Sequence, residues 1–315
     1  MSNFKIAVFG ATSHIAKGLI NNFLQAGDVN LHLYTRSFAK VLVFLDSIKQ
    51  APSSNCVVHE GYTDFIECNY DVVINCVGAG PPNKLKNDFS LWFSITEEYD
   101  NMIIKSLHKK PQTLYVNFSS GAVYGKNATM PAEEYTTNTF QVNKISTDDY
   151  YSIARLNSEA KHRSFHKLKI LDLRIFSYFS RFIDLNSGYF MTDVLKALIN
   201  KEILQTNDIN IIRDYVHPDD LFSLILKCIG MNGINIALDV ASKEPVDKAQ
   251  VLDFFSKEYN LKYTTLKSLT LNSPNGSKNV YCSNYNMPLE IRHESKYTSM
   301  DTVAMEAKQI LKQAK

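Results

Sequence analysis

Residues 4–24 read FKIAVFGATSHIAKGLINNFL. The apolar run Lys5–Phe9 stops at Gly10, and behind it Ile15, Leu19, Ile20, Phe23 and Leu24 recur at helical spacing until Gly27. This is a strand, a tight turn and a helix. A strand apolar on both faces belongs in a sheet covered on both sides. A dinucleotide-binding turn of this shape normally carries three glycines. Here Gly10 holds the first place, and Ser13 and Ala16 hold the other two. The backbone of Gly10, Ala11, Thr12, Ser13, His14 and Ile15 is the expected cradle for a pyrophosphate, aided by the positive end of the helix dipole. Gly10 shapes the turn, the Ser13 hydroxyl is a candidate phosphate donor, and Ala16 is small enough for helix and strand to pack. Taken alone, the pattern suits an ordinary strand–helix turn equally well.

The alternation continues along the chain. Strands are predicted at Leu31–Tyr34, Cys56–His59, Asp71–Val77, Thr113–Phe118 and Ile170–Phe176. The strand ending at Val77 leads into the turn Gly78-Ala79-Gly80-Pro81-Pro82. Helical spacing covers residues 95–107 and 148–166, with Ser146, Thr147 and Asp148 as N-cap candidates for the second of these helices. Repeated strand–helix–strand units predict an α/β fold, a Rossmann-type doubly wound parallel sheet over residues 1–176. Beyond 176 the segments are longer and more polar. A smaller C-terminal substrate-binding lobe is expected over 177–315, with a strand near 235–240 (NIALDV) returning to the sheet. No linker, repeat or low-complexity stretch separates the halves. Ligands bind beyond the C-terminal ends of strands in such sheets, so the cleft between sheet and lobe is the expected site.

Composition narrows the partners. The 315 residues carry a net charge of only +2, which provides no footprint for nucleic acid or an anionic membrane. The cluster Lys161, His162, Arg163 reads as a solvated helix end complementing the dipole. Five cysteines without a Cys-x-x-Cys pair predict neither a disulfide framework nor a metal site. The first strand begins at residue 4, leaving no room for a leader, and no apolar run nears the roughly 18 residues of a membrane span. A cytoplasmic protein is expected.

The second strand ends in Tyr34-Thr35-Arg36-Ser37. A free ribose 2′-hydroxyl is usually met there by an acid. Arg36 instead suits a 2′-phosphate, so NADP(H) is expected over NAD(H). Three further segments follow: NFSSGAVYG at 117–125, YYSIARLNSE at 150–159 and RDYVHPDDL at 213–221. With the turn, and with LDLRIFSYFS at 171–180, they make the chain resemble the extended short-chain dehydrogenase/reductase superfamily. More narrowly, it resembles the nucleotide-sugar epimerases, dehydratases and reductases.

The resemblance implies hydride transfer at a sugar carbon. Ser120 matches the family's catalytic hydroxyl and Tyr151 its Tyr-x-x-x-Lys tyrosine, the proton donor or acceptor. A free tyrosine titrates at about 10, so the family sets a lysine beside it. Here that place is held by Arg155, also expected near the nicotinamide ribose. The resemblance places Val77, Gly78 and Phe176 at the cofactor, and Gly80 and Arg213 at the nucleotide sugar. Glu159 fits the acid that often follows on the helix. Ser119, Asn117, Tyr150 and His217 read as structural residues, and Asp219 or Asp220 as a helix cap. Three functions are in view. The first is NADPH-dependent reduction of a keto nucleotide sugar. The second is epimerisation with tightly held NAD, dehydration being disfavoured by Gly121 and Ala122 after Ser120. The third is a catalytically weakened binding or sensor protein. A homodimer built through the Tyr151 helix is implied by the resemblance alone.

Overall fold

The structure, a computed structural model, describes residues 4–80, 85–126, 129–231, 233–267, 279–285 and 287–314. Pro81 and Pro82 of the predicted turn lie outside them. Strands β1 (Phe4–Phe9), β2 (Val29–Thr35), β3 (Cys56–Glu60), β4 (Val72–Asn75), β5 (Leu114–Ser120) and β6 (Lys169–Ile175) alternate with helices α1 (His14–Ala26), α2 (Phe38–Ser47), α3 (Leu91–Lys109) and α4 (Thr147–Ser164). Past β6 come β7 (Ser177–Tyr178), α5 (Phe190–Asn200), β8 (Leu204–Asn207), β9 (Ile212–Arg213), β10 (Tyr215–Val216) and α6 (Pro218–Ile229). Then follow β11 (Asn235–Val240), β12 (Val246–Asp247), α7 (Lys248–Tyr259), β13 (Tyr263–Leu266), β14 (Val280–Tyr281) and α8 (Ser299–Gln313).

Seven strands form one sheet in the order β11-β6-β5-β4-β1-β2-β3, with every pair parallel. The period-2 alternation sorts its side chains into two layers. Ile6, Val8, Leu31, Leu33, Val116 and Leu173 pack on one face with Leu19, Ile20 and Phe23 of α1, Phe44 of α2 and Leu221, Leu224 and Ile225 of α6. Ala7, Phe9, Tyr34, Val73, Tyr115 and Ile170 pack on the other with Tyr99, Ile103, Ile104 and Leu107 of α3. Both faces are therefore covered, as a parallel sheet requires. A separate apolar cluster, with Phe179, Leu195, Val251, Phe255 and Val303, holds α5, α7 and α8 together as the lobe.

Several boundaries move for local reasons. β4 stops at Asn75 because its own carboxamide Oδ1 accepts the Val77 N–H at 3.1 Å, which ends the ladder two residues before the predicted limit. β5 runs on to Ser120, since Ser119 and Ser120 still pair with Arg174 and Ile175. The second predicted helix starts at Thr147, behind a capping box between Ser146 and Asp149.

Candidate active site

β1 lies where the strand order turns back, with β4 on one side and β2 on the other. Gly10 follows it at φ +68°, and a Cβ there would stand 3.0 Å from the carbonyl carbon and oxygen of Cys76 and from the Val77 nitrogen. Only glycine lets the turn pass so close to the end of β4. Ser13 caps α1, its Oγ accepting from the Ala16 N–H at 3.3 Å, and the hydroxyl also reaches the Cys76 thiol. The hydroxyl expected to donate to phosphate is thus engaged within the turn itself. The N–H groups of His14 and Ile15, in the first turn of α1, have no intrahelical acceptor and are left for an anion. The His14 ring packs edge-on against Tyr178 at 4.8 Å, with Nε2 3.4 Å from the Ser180 carbonyl oxygen. Burial brings its pKa down to about 4, so at neutral pH it is uncharged. The turn attracts anions through backbone dipoles.

Arg36 is exposed just past β2, and its charge acts on the phenols of Tyr62 and Tyr99. Tyr62 lies 4.9 Å from Phe9 and meets Tyr99 edge-on at 4.7 Å, with its hydroxyl in reach of the Gly10 backbone. The end of the crevice near β2 is therefore an aromatic wall with one arginine beside it. Neither tyrosine belongs to a motif in the sequence; the fold brings both to the strand end beside Gly10.

At the opposite end Ser120 closes β5, and α4 presents Tyr151 and Arg155 one turn apart. The Arg155 guanidinium carbon is 5.2 Å from the centre of the Tyr151 ring, and Nη1 donates to the Phe118 carbonyl oxygen at 3.1 Å. A Cβ on Gly78 would stand 3.6 Å from its Nη2, while its Nε is buried without an acceptor among the described residues. Arg155 thus spans Tyr151, β5 and the turn after β4. Tyr151 itself packs on Trp92 at 5.5 Å. Ser120 Oγ accepts from the Ala122 N–H at 3.1 Å and shares a 2.9 Å hydrogen bond with the hydroxyl of Tyr281, on β14. Arg213 is the register partner of Tyr281 across β9 and β14, buried, with Nη1 donating to the Ile212 carbonyl at 2.8 Å. Phe176 fills the space that Gly121 leaves open, where a Cβ would lie 2.4 Å from its ring, and it meets Tyr281 at 5.1 Å. Gly80 follows at φ +84°, a backbone conformation that glycine tolerates best. A cavity of about 290 Å³ opens beside Phe176 and Tyr281, lined also by Gly121, Tyr124 and Lys126.

The end of α4 requires a correction. His162 is fully buried, its Nε2 2.8 Å from Asp100 and its Nδ1 2.9 Å from both oxygens of Asp172. Lys161 pairs with Asp100, and Arg163 Nη2 meets Asp172 at 2.7 Å. Tyr115 and Asn117 also donate to these carboxylates. This is an internal charge cluster, not a solvated helix end. Its acids lie 62 and 10 residues away along the chain, beyond any helical spacing. Glu159 is likewise internal, accepting from Arg174 Nε and Nη2 and from Ser119 Oγ at 2.5 Å. His217, rather than Asp219 or Asp220, caps α6 by accepting from the Asp219 N–H. Asp220 instead accepts from the Lys296 and Tyr297 backbones. Among the described residues no group of three or more His, Cys, Asp or Glu could hold a metal ion, and no helix is long and apolar enough to cross a membrane.

The comparisons agree with this architecture. The sequence profile of the NAD dependent epimerase/dehydratase family matches residues 6–237. A search of curated proteins found no match. A mutant UDP-glucuronic acid 4-epimerase from Bacillus cereus, in complex with a UDP-4-deoxy-4-fluoro-glucuronic acid and NAD, superposes with a TM-score of 0.80 at 16% identity, over 98% of this chain and 99% of that one. UDP-glucose 4-epimerase from Thermotoga maritima, with UDP-glucose, gives 0.80 at 15% over 99% and 100%. UDP-N-acetylglucosamine 4-epimerase from Methanobrevibacter ruminantium, with UDP-N-acetylmuramic acid, gives 0.80 at 16% over 99% and 100%. With a family profile running through the phosphate turn, the Ser120 strand and the Tyr151 helix, this chain belongs to the NAD dependent epimerase/dehydratase family.

Proposed function

We propose that the protein is an NADPH-dependent reductase of a keto group on a nucleotide-activated sugar. The observation that carries the choice of cofactor is Arg36, exposed beside the Tyr62–Tyr99 wall with no acid at residues 34–37. The turn from Gly10 to Ile15 would hold the pyrophosphate, and Arg36 the 2′-phosphate. Arg155 retains an unpartnered Nε–H for the nicotinamide ribose. The cofactor, when bound, supplies the hydride. Tyr151 then gives its phenolic proton to the oxygen that becomes a hydroxyl, with the Arg155 cation stabilising the charge left behind. Ser120 donates a hydrogen bond to that oxygen as negative charge develops on it. Arg213, buried on β9 as the register partner of Tyr281, would meet the diphosphate.

The test is NADPH consumption with a panel of 4-keto nucleotide sugars, together with binding of NADPH and NADH. Arg36→Ala should weaken NADPH binding on the order of 10- to 100-fold and leave NADH binding unchanged. Equal losses for both would remove the argument from Arg36. The three 4-epimerases of the same fold support a second reading, epimerisation with retained NAD. Recovery of one NAD per purified chain would favour it over reduction.

A further inference from the structure

Ser120 is joined to a hydroxyl that no motif contains. We propose that Tyr281 is a positioning residue that aims the Ser120 proton at the substrate oxygen. A serine hydroxyl has one proton and two lone pairs. One lone pair of Ser120 Oγ takes the Ala122 N–H at 3.1 Å. Tyr281 Oη stands 2.9 Å away. Donation from Tyr281 fills the second lone pair, which leaves the serine proton as the group's only unused valence, available to a substrate oxygen. Burial raises the Tyr281 pKa, so the phenol remains a donor throughout the working pH range.

The placement of Tyr281 is built by other contacts. Two residues on, Ser283 Oγ donates to Asp239 of β11 at 2.5 Å. Asp239 also accepts from Tyr124, at 3.1 and 3.0 Å, and from Arg174. Arg174 in turn is held by Glu159, which accepts from Ser119, the neighbour of Ser120. The Cys282 carbonyl accepts from the Ala132 N–H, and the Ala132 carbonyl accepts from the Asn284 N–H. The Tyr281 ring rests on Phe176, which occupies the gap over Gly121. The segment is thus fastened to β11 of the sheet and to the Ala132 loop just after the tyrosine, and paired with β9 through β14 itself. Tyr151 and Arg213 lie within its electrostatic range.

This inference rests on the proposed hydride-transfer site, and a double-mutant cycle separates the two. Wild type, Ser120→Ala, Tyr281→Phe and the double variant are compared in turnover of a keto nucleotide sugar, with NADPH binding and thermal unfolding measured in parallel. Tyr281→Phe should lower kcat about 10-fold and leave NADPH affinity and the KM for the sugar within about twofold. The same change made in Ser120→Ala should lower kcat less than twofold further, because the hydroxyl it orients is gone. Ser283→Ala, which frees the segment without touching the phenol, should give a smaller kcat loss of the same kind. Full additivity in the double variant, or a loss confined to KM or to thermal stability, overturns the role of Tyr281 and leaves the proposed reaction standing. An active Tyr281→Phe enzyme with wild-type kcat does the same. Absence of turnover in the wild type across the panel rejects the reaction, and the role of Tyr281 falls with it.

Discussion

Raising the pH should unfasten the protein at His162. Burial opposes the charge on this ring, yet the hydrogen bonds and charges of Asp100 and Asp172 outweigh it and lift the pKa from 6.5 to about 9. Below pH 6.5 the ring is protonated in both folded and unfolded chains, and its stabilising contribution is fully present. Between 6.5 and about 9 the unfolded chain releases its proton while the folded chain keeps it, so stability falls as pH rises. At about 1.4 kcal/mol for each pH unit, the loss across the window comes to roughly 3 kcal/mol. The ring is fully buried, so solvent does not screen the effect. Other histidines act elsewhere: His14 and His32 are both lowered to about 4, and their contributions change below pH 6.5. Urea unfolding from pH 6 to pH 8 should show the first part of this decline, about 2 kcal/mol, in the wild type and a nearly flat profile in His162→Gln; at higher pH the thiols of Cys56, Cys76, Cys228 and Cys282, whose pKa values burial raises, add a decline in both proteins. The ring's NMR titration should have its midpoint near 9. A midpoint near 6.5, or equal pH profiles for the two proteins, would refute the reasoning.

Other perturbations have equally defined outcomes. Gly10→Ala forces a side chain into positive φ against the Cys76 carbonyl, and should cost about 1–3 kcal/mol in thermal unfolding as well as dinucleotide binding measured by calorimetry. Tyr151→Phe should lower turnover about 10²- to 10⁴-fold while NADPH binding persists. Gly121→Ala drives a methyl onto the Phe176 ring and should destabilise by about 1–3 kcal/mol, with the cavity and its KM disturbed too. Arg155→Lys loses the bond to Phe118. Lower turnover in that variant would show that the arginine is the working cation, and a large gain would show that it limits the site.

The sheet was legible because buried parallel strands write themselves as short apolar runs, and Gly10 marks the first turn. Tyr151 and Arg155 were legible as an i, i+4 pair on one helix face, and Ser120 only through the family resemblance. What was not legible lies across long separations. Tyr281 meets Ser120 from 161 residues away, and only the pairing of β14 with β9 delivers it. His162 looked solvated because its neighbours in sequence are basic, whereas its partners come from α3 and β6. α2 was missed because its apolar residues face the sheet from a short helix without a strong cap: Ser37 makes no side-chain capping bond there.

β11 carries a consequence for how the chain is made. It completes the sheet beside β6, and α6, which packs on α1, directly precedes it. While synthesis has passed residue 176 but not 240, the nucleotide turn exists but the sheet lacks its seventh strand. The unpaired N–H and C=O groups of β6 then face outward along seven residues, and Arg174 lacks Asp239. Open edges of this kind recruit other strands. The emerging polypeptide therefore passes through an adhesive stage of some sixty residues, ending only as Asn235–Val240 leaves the ribosome. A fragment cut at 176 would be held at that stage permanently, and is expected to aggregate rather than bind nucleotide.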